Sequence, residues 1–322
     1  MWRPPERIHY KPDPGRWPSL EQAERSRLFS AVDTGPVTLS HRTWVPAMVP
    51  WRATEDGHVT PEVLAWYERF ARGRPGALVI EATGIRDIPS GPLLRISDDR
   101  FIPGLRDLTE TVRRASDGHT RIFIQIIDFL AIRRRPQPEK YFDRFLRITD
   151  AHRKALGAKD WSEDEIRNRL AAMEDTDLDG VLSRREVEAL RQGYREHIAD
   201  LDLPHIRELP KVLPDLFAAA ARRAEQAAFD GVELHYAHAY TMASFLSALN
   251  TRDDGYGGSR ENRVRLPLEV FERVRREVSR DFAVGCRFLS EDCVEGGSTV
   301  DDAAFFATEF ARAGMHFLSL SR

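Results

Sequence analysis

The densest group of reactive side chains in this sequence is a histidine–tyrosine cluster formed by His235, His238 and Tyr240. Two imidazole N–H groups can converge on a carbonyl or nitro oxygen and stabilise the negative charge that develops there. A phenol, with an ordinary pKa of about 10, could then donate a proton to an adjacent carbon. Alternatively, the two histidines could bind a metal ion if a carboxylate such as Asp128 or Glu233 completed the site. The residues alone leave both interpretations open.

A second pattern of oxygen ligands lies in residues 175–186. Its spacing reproduces the twelve-residue EF-hand loop, in which the ligands would be Asp175, Asp177, Asp179, the backbone carbonyl of Val181, and Glu186. Gly180 occupies position six, where a calcium loop turns sharply. The pattern predicts bound Ca²⁺, and a solvated acidic turn that caps a helix is the alternative.

Short apolar runs that alternate with amphipathic stretches provide the framework for these groups. We predict strands at residues 37–49, 77–84, 121–127, 231–235, 283–288 and 315–320, and helices near residues 61–71, 103–114, 214–229, 261–279 and 301–313. This alternation predicts a parallel sheet covered by helices. Pro61 and Pro214 are both expected in the first turn of their helices, where a missing N–H costs little.

Period-two alternation predicts which side chains share a face of each strand. It places Gln125, Glu233, His235 and Arg287 on one face, near the carboxyl ends of their strands. In (β/α) barrels the active site lies at that end of the strands. A buried polar network that only fixes packing is the alternative. Small residues such as Gly285 beside Arg287 are expected to leave room for a flat ring.

Length, composition and charge narrow the class of protein. The 322 residues suffice for one large barrel or two ordinary domains. The net charge of −3 gives no basic surface for nucleic acid, and no apolar run approaches the roughly 20 residues of a membrane span. We therefore expect neither nucleic-acid nor membrane partners. The start of the chain lacks the apolar core of a secretory signal, and the two cysteines, Cys286 and Cys293, form no CxxC pair. We expect a reduced, cytoplasmic protein.

An ordered series of motifs resembles the old yellow enzyme family of FMN-dependent ene-reductases and NADH:flavin oxidoreductases. The series comprises Leu28-Phe-Ser30, Leu39-Ser-His-Arg42, Pro46-Ala-Met48, Glu81-Ala-Thr83, Gln125, the histidine–tyrosine cluster, residues 250–263 and Val284-Gly-Cys-Arg287. One short match would be a weak signal, but the series spans the chain from Leu28 to its end apart from one insertion.

The resemblance implies a TIM-type (β/α)8 barrel with FMN at its C-terminal face, reduced by NAD(P)H. Pro46, Met48 and Ala82 would contact the isoalloxazine ring, Gln125 its pyrimidine edge, and Arg287 its N1/O2 edge. His235 and His238 would bind the electron-withdrawing group of an enone-type alkene, and Tyr240 would protonate its α-carbon. The implied activity is reduction of an activated α,β-unsaturated alkene with hydride from NAD(P)H.

Three departures from the family pattern qualify these expectations. Val49 replaces the usual Thr or Cys, and Asp128 replaces a common His. The sequence also ends after its sixth predicted strand, whereas the last two strands of the family supply the loops that hold the FMN phosphate. We therefore expect a C-terminally incomplete barrel that binds FMN weakly or not at all by itself. The expected protein partner is a second copy of the chain or another chain that completes the barrel.

The predicted organisation has four parts. Residues 1–36 form a lead-in segment, residues 37–130 the first part of the barrel, residues 131–205 a helical insertion after the third strand, and residues 206–322 the second part of the barrel. The insertion is too long for an ordinary βα loop. The alternative function is a catalytically silent barrel fragment whose insertion responds to calcium or binds a protein.

Overall fold

The computed structural model of the protein describes residues 15–16, 18–88 and 91–322, so residues 1–14 and Trp17 of the predicted lead-in lie outside the described residues. The strands are β1 (Val32–Asp33), β2 (Thr38–Leu39), β3 (Trp44–Val45), β4 (Ala77–Gly84), β5 (Arg121–Ile127), β6 (Gly231–Tyr236), β7 (Ala283–Leu289) and β8 (Leu318–Ser321). The helices are α1 (Leu20–Glu24), α2 (Pro61–Arg72), α3 (Ile102–Ala115), α4 (Pro138–Lys140), α5 (Asp150–Ala155), α6 (Glu163–Ala171), α7 (Arg184–Arg191), α8 (Pro204–Arg207), α9 (Leu209–Gln226), α10 (Thr241–Leu246), α11 (Arg260–Glu277) and α12 (Val300–Ala313).

The main sheet has six parallel strands in the order β3-β4-β5-β6-β7-β8. Helices follow the strands along the chain, which is the construction of a (β/α)8 barrel with about six of its strands. The predicted TIM-type barrel with about six of its strands is confirmed. In the described ranges, no helix is both long enough and apolar enough to cross a membrane.

The prediction of one strand over residues 37–49 was wrong, because two short strands occupy this segment. Its first half forms β2, which pairs antiparallel with β1, and only Trp44–Val45 join the parallel sheet. The tight turn between β1 and β2 explains the difference, because Gly35 has a φ of 94° and its N–H bonds the Asp33 side chain. The hairpin buries Val37 and Leu39 beneath the barrel interior, so the apolar run serves two elements.

The two faces of the sheet have different partners. The face toward the helices is aliphatic, as the alternation predicted, and includes Leu78, Ile80, Ile122, Ile124, Val232, Leu234 and Val284. The lower interior is aromatic instead. The Trp44 and Phe123 rings stack with centroids 5.1 Å apart, and Phe317 lies against both. Apolar burial on both faces stabilises the sheet and leaves its upper end for polar groups.

The helical insertion predicted after the third strand is present and has its own apolar core. That core includes Tyr141, Phe142, Ile166, Leu170, Leu178 and Leu190. A short antiparallel bridge between Ile132 and Arg195 closes the neck of the insertion.

Beyond the neck, α9 begins earlier than predicted. Pro210 lies in its first turn, so Pro214 lies inside the helix instead of at its start, where its missing N–H removes one backbone hydrogen bond.

Candidate functional site

Three neighbouring strands bring the predicted polar residues together at their carboxyl ends. Gln125 on β5 is in register with Glu233 on β6, and His235 on β6 is in register with Arg287 on β7. These side chains are buried or partly buried above the aromatic layer. The structure thus brings Gln125, His235 and Arg287 to one end of the sheet.

Glu233 links the two residues on either side of it. The Gln125 side-chain amide donates a 2.6 Å hydrogen bond to Glu233 Oε1, and Arg287 Nε lies 3.4 Å from the same oxygen. Glu233 is fully buried, and this burial raises the pKa of its carboxyl, while the Arg287 charge and the Gln125 amide oppose the increase. Sequence alternation placed Glu233 on this face, but nothing in the sequence indicated that it would hold both neighbours.

His235 and His238 are joined in a hydrogen-bonded series. The Ala237 N–H donates to His235 Nδ1 at 3.2 Å, so the His235 proton belongs on Nε2. From there it is donated to His238 Nδ1 at 3.3 Å. The His238 proton then belongs on Nε2, 2.8 Å from Ser321 Oγ. This network assigns the same tautomer to both rings. Ser321 was not predicted, although its alternation with Ser319 along β8 was a usable signal.

Both histidines are neutral at neutral pH. Burial lowers the pKa of His235 to about 3, and the neighbouring His238 imidazole and the Arg287 charge act in the same direction. Burial and the Arg287 charge also lower the pKa of His238 from 6.5. Neutral imidazoles can donate one N–H each, so this pair is suited to hydrogen bonding an oxygen and unsuited to supplying a positive charge.

Tyr240 lies beside the histidines at the end of a strained turn. Its ring centroid is 5.7 Å from that of His235 and 5.1 Å from that of Phe129. The backbone reaches it through His238 and Ala239, whose φ values of 60° and 57° are both in the left-handed region. Two consecutive non-glycine residues in that region are costly, and such strain often accompanies functional sites. The Tyr240 side chain is 37% exposed and accessible to a ligand.

The residues predicted to contact the isoalloxazine ring lie in two parts of the structure. A β-bulge places both Glu81 and Ala82 opposite Gln125. Because the Glu81 side chain turns toward the helices and bonds Tyr67 on α2, Ala82 faces the mouth of the barrel. Pro46 and Met48 lie just after β3, at the first edge of the sheet, and Met48 is 41% exposed. These positions are compatible with a ring lying across the mouth.

The metal-dependent interpretation lacks its third ligand. Asp128 forms a two-point ion pair with Arg86, whose nitrogens lie 2.5 and 2.9 Å from the two carboxylate oxygens. Glu233 is likewise occupied by Gln125 and Arg287. In the part of the chain that the structure describes, no group of three His, Cys, Asp or Glu side chains could hold a metal ion. Arg86 was not foreseen, because its partner lies on another strand.

The space expected beside Gly285 is already filled. A Cβ at this position would lie 2.4 Å from the Phe317 carbonyl oxygen and 2.6 Å from the Phe317 ring. The glycine is therefore required by the close approach of β8 and the aromatic layer. The expectation that Gly285 leaves room for a bound ring was wrong, because the flat group beside it belongs to the protein itself.

The predicted calcium loop is not supported. Arg191 occupies the place of the cation, with Nε 3.1 Å from Asp175 and Nη1 2.9 Å from Asp179. Glu186 caps α7 by accepting hydrogen bonds from the N–H and hydroxyl of Ser183, and its carboxylate also contacts His152.

The backbone of this segment also differs from a calcium loop. Residues Asp177–Gly180 form a 3-10 helix, so the sharp turn predicted at Gly180 is replaced by helical backbone, and Gly180 has no positive φ. Leu178, at position four, is buried in the insertion core. The ligand set Asp175, Asp177, Asp179, Val181 and Glu186 is therefore not assembled, and the segment is an acidic turn before a capped helix.

A large cavity separates the mouth of the barrel from the insertion. Its volume is about 1170 Å³, and Tyr240 lies in its wall together with residues of α10 and of the insertion. Leu130, Ile132, Leu249 and Leu289 add apolar surface. A ligand in this cavity would have the Tyr240 ring beside it and the insertion above it.

The donor set at the mouth fits a flavin ring. Arg287 Nε is buried and makes no hydrogen bond of ordinary geometry with any described residue. The Gln125 carbonyl oxygen likewise accepts no hydrogen bond in the described ranges, because the Glu233 contact uses its amide nitrogen. A guanidinium donor and an amide acceptor on either side of Glu233 match the carbonyl and N–H groups along the pyrimidine edge of such a ring.

Comparisons with known proteins agree with this geometry. A model of the NADH:flavin oxidoreductase / NADH oxidase family matches residues 202–322. The chain is 30% identical over 299 residues to an NADH oxidase of Thermoanaerobacter brockii, covering 91% of this chain and 39% of that protein. It is 29% identical to an NADPH dehydrogenase of Clostridium acetobutylicum, covering 85% of this chain and 67% of that protein.

A solved structure shows the same fold. The old yellow enzyme homologue of Zymomonas mobilis superposes with a TM-score of 0.62 and 23% sequence identity, over 92% of this chain and 73% of that one. The chain spans about two fifths of the length of the Thermoanaerobacter relative. Its sequence motifs, its sheet and these matches agree: residues 202–322 match the NADH:flavin oxidoreductase / NADH oxidase family, and the chain has the fold of the old yellow enzyme homologue.

Proposed function

We propose that this chain forms the active-site face of an FMN-dependent oxidoreductase that takes hydride from NAD(P)H and reduces an activated alkene. The observation that carries the proposal is the convergence of Gln125, Arg287 and the His235–His238 pair at one end of three neighbouring strands. The relatives named NADH oxidase and NADPH dehydrogenase support the class of electron donor.

Gln125 and Arg287 would hold the pyrimidine edge of FMN, with Ala82, Pro46 and Met48 around the ring. Bound FMN would supply the hydride chemistry. The guanidinium of Arg287 favours negative charge at the edge it faces, and Glu233 fixes the position of that guanidinium from behind. Because Glu233 also bonds Gln125, one buried carboxyl orients both polar contacts.

His235 and His238 would bind the oxygen of the electron-withdrawing group through their N–H donors. In the ligand-free arrangement the His235 proton is directed at His238 and the His238 proton at Ser321. For both donors to reach one oxygen, the His238 ring must rotate away from His235. His238 is exposed and lies at the left-handed turn, so this side chain has room to move.

Tyr240 would donate its phenolic proton to the α-carbon of the alkene. Its ring is next to His235 and lines the large cavity, so a substrate bound to the histidines would have the phenol beside it. General acid catalysis of this kind contributes about 10²–10⁴-fold in rate. The bulk of the substrate would occupy the apolar side of the cavity.

Strands outside these 322 residues, or strands of a second copy or another chain, would complete the barrel. In the described sheet, β3 and β8 each have one edge that no other described strand pairs. Unpaired edges of parallel strands are normally covered, since their N–H and C=O groups need partners.

The alternative of a calcium-responsive insertion has lost its basis, because Arg191 pairs with Asp175 and Asp179, and Ser183 hydrogen bonds to Glu186.

The test is anaerobic reduction of 2-cyclohexenone by the FMN-loaded protein, with NADPH consumption and the saturated ketone measured together. We expect Tyr240→Phe to lower the rate of ketone formation by about 10²-fold or more while flavin reduction by NADPH is unchanged. Tyr256→Phe is the matched control, because Tyr256 contacts Glu269 away from the site. Flavin reduction without formation of saturated ketone by the unmodified protein would refute the alkene as substrate.

A further inference from the structure

A second cavity lies within the insertion, between its neck and α7. Its volume is about 280 Å³, just below the range of about 300–1,000 Å³ for small-molecule sites. Its walls combine arginines with aromatic rings, chiefly Arg133, Arg134, Arg147, Phe145 and Tyr194. This size and composition suit one nucleotide-sized group with a negative charge.

The lining of this cavity includes the carboxylate of Glu186, which contacts Ser183 and His152 and none of the lining arginines. Arg133, Arg134 and Arg147 form no ion pair with any residue in the described ranges, and all three are exposed. Arg185, also in the wall, behaves differently, because Asp200 and Asp202 both pair with it. Three neighbouring guanidinium groups without an ion-pair partner attract a phosphate, which they can bind through two hydrogen bonds each.

The aromatic side chains provide a surface for a planar base. Phe145 lines the cavity and is 57% exposed, so its ring is accessible to a ligand. On the other side, the Arg133 guanidinium lies 5.4 Å above the centroid of the Tyr194 ring. Arginine and aromatic planes side by side are the usual partners of a nucleic-acid base.

The neck of the insertion fixes the position of this wall. The Arg133 N–H donates a 2.8 Å hydrogen bond to the Tyr194 carbonyl oxygen. Gly193 permits this contact, since its φ is 104° and a Cβ there would lie 2.4 Å from the Arg133 carbonyl oxygen. The arginine and the aromatic ring are therefore held together by the backbone.

The cavity adjoins the large cavity at the mouth of the barrel. Arg185 lines both, and the large cavity continues to Tyr240. We propose that the arginine–aromatic cavity of the insertion binds the adenosine 2′-phosphate end of NADPH, with the nicotinamide end directed toward Tyr240, so that the protein prefers NADPH to NADH. The nicotinamide placement rests on the proposed function, whereas binding of the adenine nucleotide does not.

The test is titration of the protein with 2′,5′-ADP, which carries the adenine and the 2′-phosphate but needs no flavin. We expect 2′,5′-ADP to bind at least about tenfold more tightly than 5′-AMP, and Arg134→Gln and Arg147→Gln each to weaken it about tenfold. Arg135→Gln is the matched control, because Arg135 is an exposed neighbour that does not line the cavity. Phe145→Ala should weaken 2′,5′-ADP binding but not the binding of inorganic phosphate.

Three outcomes would overturn the proposal. The first is equal affinity of the protein for 2′,5′-ADP and 5′-AMP. The second is that Arg135→Gln weakens 2′,5′-ADP binding as much as Arg134→Gln does. The third is that inorganic phosphate binds as tightly as 2′,5′-ADP. Retained nucleotide binding in a protein that reduces no alkene would count against the proposed function alone. Loss of nucleotide selectivity in a protein that does reduce alkenes would count against this inference alone.

Discussion

Glu233 provides the sharpest test of how the site is held together. Its carboxyl is fully buried, accepts the Gln125 amide at 2.6 Å and lies 3.4 Å from Arg287 Nε. Glu233→Ala removes both contacts and leaves the Arg287 charge, whose side chain is only 14% exposed, without its partner. Breaking a buried pair in this way typically costs about 3–5 kcal/mol, and the remaining exposure of Arg287 places the expected loss near the lower value.

Glu233→Gln separates the hydrogen bond from the charge. The new amide oxygen can still accept from Gln125, so only the interaction with Arg287 weakens, and we expect a loss of roughly 1–2 kcal/mol. The assay is urea unfolding of both variants, of Arg287→Leu and of the double variants. A coupling free energy of roughly 1–3 kcal/mol between positions 233 and 287 is expected.

The matched control for this cycle is the pair of Arg276 and Glu272, which is also an arginine–glutamate contact but has a 74% exposed arginine side chain. Exposed pairs contribute about 0–1 kcal/mol, so their coupling should be small. Strictly additive effects at positions 233 and 287, or a Glu233→Ala protein as stable as the unmodified one, would refute the role given to Glu233.

Three further predictions concern packing, pH and calcium. Gly285→Ala should lower the free energy of unfolding by about 1–3 kcal/mol, because the added Cβ meets Phe317. Gly180→Ala should lower it little, because no atom lies within 4 Å of a Cβ there. Equal effects of the two substitutions would contradict the close packing of Gly285 against Phe317. Burial raises the pKa of Glu81 to about 7, so the folded state favours the protonated carboxyl. The free energy of unfolding should therefore fall by roughly 3 kcal/mol as the pH rises from 4.5 through 7. Thermal unfolding between about pH 5 and pH 8 should show this loss, and Glu81→Gln should abolish it; an unchanged pH profile would count against it. Millimolar Ca²⁺ should shift the melting temperature no more than Mg²⁺ does, since Arg191 already occupies the acidic loop; a calcium-specific increase would restore the EF-hand interpretation.

The parts of this fold that follow local periodicity could be predicted from the sequence. Alternation along β5, β6 and β7 correctly separated the aliphatic face from the face that carries Gln125, Glu233 and Arg287. These strands are buried on both sides and bounded by helices, so one-residue errors in register would be costly. The grouping of polar side chains at one end then follows from parallel pairing.

The errors arose where long-range contacts decide the structure. The spacing from Asp175 to Glu186 satisfies a calcium loop, yet Arg191 and the capping of α7 give those carboxylates other partners. Gly285 looked like empty space because Phe317, which fills it, lies far away in the sequence, just before β8. A short motif predicts what a segment can do by itself, and these residues obtained their partners only on folding.

We propose that Gln125 and Arg287 hold one flavin ring at the mouth of the barrel, and quenching of flavin fluorescence on binding measures this contact. We expect weak but saturable quenching of FMN by the unmodified protein. Arg287→Leu and Gln125→Leu should weaken it by about tenfold or more, whereas the exposed Arg276→Leu should not. Riboflavin should bind within a few-fold of FMN, because the residues named here contact the ring. An Arg287→Leu protein that binds FMN as tightly as the unmodified chain would contradict the account.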